Sequence, residues 1–133
     1  MSDIIRISMP GKPEYTQALR LAIGSLACQQ AFNVEQVEDL KLAVSEACKL
    51  VTCHGVDLRP DVYNMTVEMY DSAMQITVTD EGCNFALEKK DRFCENCPGD
   101  GNLSLLVVKS LVDDVKVIKN DLGQRTIIMV KNR

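Results

Sequence analysis

The chain has 133 residues, of which 46% are apolar and 26% charged, with a formal net charge of −4; a chain of that length removes roughly two-thirds of its unfolded surface from water, so one folded domain over residues 1–133 is expected and disorder is not. Lys and Arg are scattered rather than clustered, which leaves no electrostatic footprint for direct nucleic-acid binding or for an anionic bilayer. No stretch approaches roughly 18 apolar residues, and the N-terminus lacks a basic segment followed by an apolar run, so a cytoplasmic chain that neither spans a membrane nor is exported is expected.

In chain order, residues 5–9 alternate apolar and polar before Pro10 and Gly11, which predicts a short strand ending in a turn. A helix follows from Pro13, with Tyr15, Leu19, Ala22 and Leu26 at helical spacing, and it ends near Phe32. Asn33 is then placed to cap a second helix, with Gln36 three residues on in a variant of the capping box and Glu35, Glu38 and Asp39 near the positive end of the helix dipole. The core stripe of this helix is Val37, Leu40, Val44, Ala47 and Val51. Glu46, Leu50 and His54, spaced by four, form a second stripe at its edge, and Gly55 ends the helix.

Residues 63–70 and 74–80 alternate cleanly, with Met65, Val67, Met69, Met74, Ile76 and Val78 on one side and Asp71–Ser72 between them, the pattern of a hairpin with one covered face. Residues 81–101 lose all periodicity and form a long loop, a candidate lid. A helix over 103–111, a strand over 115–119, a turn at 120–123 and a strand over 125–131 complete the chain. This order is not the regular strand–helix alternation of a doubly wound sheet. It predicts an α+β, two-layer sandwich: a mixed, mostly antiparallel sheet with helices on one face.

The six cysteines are read as thiols, with Cys28 and Cys48 as small core residues. Cys94 and Cys97 have the separation of a zinc or redox pair, to which Cys53, His54 and Cys83 can add ligands; inert thiols fit the same spacing.

Three blocks carry the functional reading. Residues 38–48, EDLKLAVSEAC, together with Leu50 and His54; residues 78–85, VTDEGCNF; and residues 101–115, GNLSLLVVKSLVDDV, occur in that order. Together they resemble the anti-sigma-factor serine kinases, a branch of the Bergerat-type, histidine-kinase-like ATPases that also include gyrase and the ninety-kilodalton chaperone. Alone, a glutamate on a helix reads as a solvated charge and His54 as a helix-end residue favoured by the dipole.

The resemblance implies the histidine-kinase-like ATPase fold, ATP with Mg²⁺ as cofactor, and a protein serine/threonine kinase. It implies Glu46 as the catalytic carboxylate and Asp80 as acceptor for the adenine amino group. Gly82, Gly101, Asn102, Leu103, Ser104 and Thr126 are the further nucleotide-binding positions it implies. The family's magnesium-binding asparagine is Leu50 here, so no metal-binding residue is assigned, and Asn84, Asn102 and Ser104 stand where glycines are usual. Two functions follow. One is an anti-sigma transcription regulator that sequesters a sigma factor and phosphorylates a serine of its antagonist protein, working as a homodimer with Arg20 at the partner surface. The other is a non-catalytic binding module that has lost the Mg-ATP chemistry.

Overall fold

Alternating and helically spaced apolar residues become eight regular elements and one short 3-10 turn in the computed structural model. It describes residues 2–51, 62–81, 103–119 and 125–133, and at residues 13, 49–51, 80, 81, 103, 104, 119 and 125 the backbone alone. In order these are β1 (Asp3–Pro10), a 3-10 turn (Pro13–Tyr15), α1 (Thr16–Gln29), α2 (Val34–Val51), β2 (Val62–Met69), β3 (Ala73–Glu81), α3 (Leu103–Leu111), β4 (Asp114–Lys119) and β5 (Arg125–Asn132). The five strands form one sheet in the order β1-β2-β3-β5-β4. Every described pairing is antiparallel, the antiparallel end of the expected range. The fold is the α+β sandwich predicted from the element order.

The sheet's covered face is set by strand alternation. Tyr63, Met65 and Val67 of β2, Met74, Ile76 and Val78 of β3, and Ile127 and Met129 of β5 are buried together, while the residues between them are partly exposed. Register places Ile76 opposite Val67 on one side and Met129 on the other, at the centre of the core. The two-residue turn Asp71–Ser72 closes the β2–β3 hairpin, with the Tyr70 N–H donating to the Ala73 carbonyl at 2.9 Å.

Helices α1, α2 and α3 cover that face, and α2 packs against α1, α3, β3 and β5. Of its predicted stripe, Leu40, Val44 and Ala47 are buried and Val37 is partly buried, with Ala43 and Cys48 buried beside them; the Val51 side chain lies outside what is described. On α1 the buried residues are Leu19, Ile23, Gly24 and Ala27, with Ala22 and Leu26 only partly buried and Tyr15 40% exposed. The predicted α1 stripe is therefore corrected. Tyr15 lies in the 3-10 turn rather than the helix, and within α1 the stripe runs from Leu19 through Ile23 and Ala27 because that is the face packed toward α2 and the core.

The α1–α2 connection is held by local hydrogen bonds. Ala31 adopts a left-handed conformation (φ 63), the Phe32 N–H donates to the Ala27 carbonyl at 3.3 Å and the Ala31 N–H to the Cys28 carbonyl at 3.3 Å, a Schellman termination of α1. The capping box at α2 forms as expected: the Gln36 N–H donates to Asn33 Oδ1 at 2.8 Å and the Asn33 N–H to Gln36 Oε1 at 3.0 Å. The C-terminal strand ties the layers together. Lys131 Nζ donates to the Leu111 carbonyl at 2.7 Å and pairs with Asp39 Oδ2 at 3.5 Å, linking β5 to the end of α3 and to α2.

Of the two cysteines expected in the core, Cys48 is there and Cys28 is not. Cys28 is exposed, whereas Cys48 is buried and desolvation pushes its thiol up to about 12. A thiolate is the reactive species, so iodoacetamide at neutral pH is expected to label Cys28 and leave Cys48 unmodified in the native protein, read by peptide mass mapping. The sign for stability follows: above its ordinary value of 9.0 the unfolded chain loses a proton that the fold keeps on Cys48. Stability is therefore expected to fall as pH rises from 9.0 to about 12.

Candidate nucleotide site

Helix α2 presents Glu46 at a half-buried position between the buried Val44 and Ala47. Position 50 falls one helical turn further on, on the same side of the helix, as the spacing of four requires. The backbone of Leu50 is helical; His54 and Gly55 lie outside the described residues. Across from α2, β3 carries Asp80 near its C-terminal end, in register with the buried Tyr63, and Glu81 opposite Val62. Gly82, Gly101 and Asn102 lie outside the described residues, as do Asn84 and the rest of the candidate lid over 81–101 beyond Glu81, which ends β3.

Leu103 and Ser104 are the first residues of α3, a nine-residue helix packed on α2. The helix begins directly after residues 101 and 102. Its leading backbone N–H groups form the end of a helix that suits a phosphate. The fold thus brings three of the predicted parts, Glu46, position 80 and the start of α3, onto elements around α2.

Thr126 lies on β5, next to the strand that carries Asp80. Its neighbour Ile127 is buried under the helices, so alternation puts Thr126 on the sheet's uncovered face, where its hydroxyl lies 3.2 Å from that of Thr79. Thr79 precedes Asp80 and is in register with Thr126. The threonine pair therefore braces the strand end that carries Asp80 from behind, and Thr126 does not face the same layer as Glu46. The sequence signal that reveals this is the one-residue offset from Ile127 and Met129.

The donor set fits the implied cofactor in part. A helix start following a glycine-containing segment and a carboxylate at a strand end fit the phosphates and the adenine amino group of ATP. Magnesium does not fit in the family's usual way. It requires oxygen ligands near octahedral geometry, and leucine at position 50 supplies none. Among the described residues no group of three or more His, Cys, Asp and Glu side chains is placed to hold a metal ion. The cysteines considered for zinc, Cys53, Cys83, Cys94 and Cys97, lie outside the described residues with His54.

Residues 9–131 match the histidine kinase-like ATPase domain family. A serine-protein kinase RsbW from Listeria monocytogenes is 35% identical over 129 residues, covering 88% of this chain and 80% of the relative. The chain belongs to the anti-sigma-factor serine kinase family of the histidine-kinase-like ATPases. An RsbW from Bacillus pumilus is 30% identical over 129 residues, covering 89% of this chain and 80% of the relative. Among solved structures, the RsbU and RsbW domains of a Mycobacterium tuberculosis protein match with a TM-score of 0.70 at 14% identity, a likeness of fold. That match covers 98% of this chain and 32% of the other, so this family member corresponds to one part of a longer chain there. Among the described residues no helix is long and apolar enough to cross a membrane.

Proposed function

We propose that this protein is a cytoplasmic anti-sigma regulatory factor, a single ATPase domain over residues 1–133 that binds a sigma factor and phosphorylates a serine of that factor's antagonist. The observation that carries this reading is the placement of half-buried Glu46 on α2, the helix against which α3 and the Asp80 strand both pack. The family relationship to serine-protein kinases supports the reaction class. ATP supplies the transferable γ-phosphoryl group. Asp80 accepts from the adenine amino group, and the Thr79–Thr126 pair holds its strand. The backbone of residues 101–104, with Gly82 beside the adenine end, accommodates the nucleotide. The Glu46 carboxylate takes the proton of the incoming serine hydroxyl as its oxygen bonds to phosphorus and the bond to the departing ADP oxygen breaks. The protein acts in transcription regulation as a homodimer, with Arg20 on α1 meeting the partner.

A second reading is favoured by Leu50: the chain keeps the fold and the partner surface but transfers no phosphoryl group, because α2 lacks the oxygen that holds magnesium in the family. Calorimetric titration of ATP, with and without Mg²⁺, on wild type and Leu50→Asn separates the two when combined with a phosphotransfer assay on the antagonist. The wild type is expected to bind ATP, and Leu50→Asn to bind about tenfold more tightly with magnesium present, about 1.4 kcal/mol, and equally without it. Serine phosphorylation by the wild type rules out the second reading. Sigma-factor binding without any phosphorylation rules out the first.

A further inference from the structure

The outer side of the α1–α2 pair carries a groove of about 370 Å³, away from the Glu46 end of α2. Its walls are Leu21, Gly24 and Cys28 of α1, Phe32 of the connection, and Val34 and Val37 of α2. Apolar side chains stand in water at both lips: Val34 is 80% exposed and Leu21 57% exposed, above a Phe32 that is only 7% exposed. Gly24 lets the Lys41 side chain lie close against α1, since a Cβ there would sit 3.1 Å from Lys41 Cδ. Apolar residues left uncovered along both lips of a cleft make it a candidate site for another molecule.

The mouth says what kind of molecule. Glu38 and Lys41 pair at 3.3 Å, but the Lys41 side chain is 24% exposed and the Glu38 side chain 62% exposed. With Glu35 also exposed one turn earlier, the charge that faces solvent at the mouth is negative. Both walls are helices, so there is no open strand edge for an extended peptide to pair with. Leu21 and Cys28 are seven residues apart on α1, about 10 Å along the axis, which is two turns of a guest helix. We propose that this groove docks an amphipathic helix of a partner protein that inserts large aliphatic side chains one turn apart and sets a lysine or arginine against Glu38. The site shares no residue with the nucleotide site, so its occupant and ATP bind together, and the inference stands whether or not the kinase reading does.

The test is a selection of displayed helical peptides, randomised on one face, against the full chain, followed by fluorescence-anisotropy titration of the enriched peptides. The expected outcome is enrichment of aliphatic residues at i, i+4 and i+7 with a basic residue beside them. Val34→Lys and Leu21→Lys, at the exposed lips, should each weaken binding about tenfold or more while thermal unfolding and ATP affinity stay unchanged. Glu38→Lys should weaken the basic peptides, and exchanging their lysine for glutamate should restore binding to that variant. The proposal is overturned if no peptide is enriched, if enriched peptides bind Val34→Lys as well as wild type, or if the charge exchange has no effect.

Discussion

Replacing Glu46 by glutamine is expected to reduce phosphoryl transfer to the antagonist serine by about 10²–10⁴-fold while changing ATP affinity less than about threefold. The amide keeps the shape of the side chain but exchanges one acceptor oxygen for an N–H donor and cannot take up the hydroxyl proton, so the loss should lie in the chemical step. Glu46 sits between buried Val44 and Ala47 at a half-buried position, so an isosteric change there leaves the helix packing intact. Radiolabelled transfer and equilibrium titration, measured in the wild-type and Leu50→Asn backgrounds, give the two quantities separately. Transfer that persists at the wild-type rate would remove Glu46 from the reaction.

Shortening Ile76 to alanine is expected to cost about 2–5 kcal/mol of stability, with a fall in Tm on the order of 10 °C. Ile76 is fully buried on the central strand β3, flanked in register by Val67 and Met129, which are fully buried as well. Neither neighbouring strand can close the void without breaking its ladder. A domain of this kind holds only about 5–15 kcal/mol in total, so the variant should unfold at markedly lower urea. Ile118→Ala, on the edge strand and at a residue 49% exposed, serves as the control and should shift stability by no more than about 0.5 kcal/mol. Equal losses at the two sites would contradict this account of the core.

Much of the fold is legible because its signals are local. The alternation in residues 63–70 and 74–80 specifies a hairpin and its covered face, since a one-residue slip would turn Met65, Val67, Ile76 and Val78 toward water. The Asn33–Gln36 capping box is similarly local, two side chains and two backbone N–H groups within four residues. The α1 stripe was less legible. Ala22, Ile23, Leu26 and Ala27 are all apolar, so two neighbouring stripes fit the helical period, and only packing against α2 chooses Ile23 and Ala27. At the candidate site, Glu46 and Leu50 could be placed on one side of a helix from their spacing alone. Thr126 could not be placed by motif resemblance, because its role depends on which sheet face it occupies, and the burial of Ile127 and Met129 decides that.

By itself the sequence determined the element types, the capping of α2, the covered face of the β2–β3 hairpin, and the family. Each of these depends on neighbours within one or two turns or on the two-residue period of a strand. Only the tertiary structure decided that β5 inserts between β3 and β4, that Thr126 braces Asp80 from behind, and that Leu21, Phe32 and Val34 frame one open groove. These depend on contacts between residues far apart in the chain, whose register is chosen by how whole faces bury together and so leaves no periodic trace in any single segment.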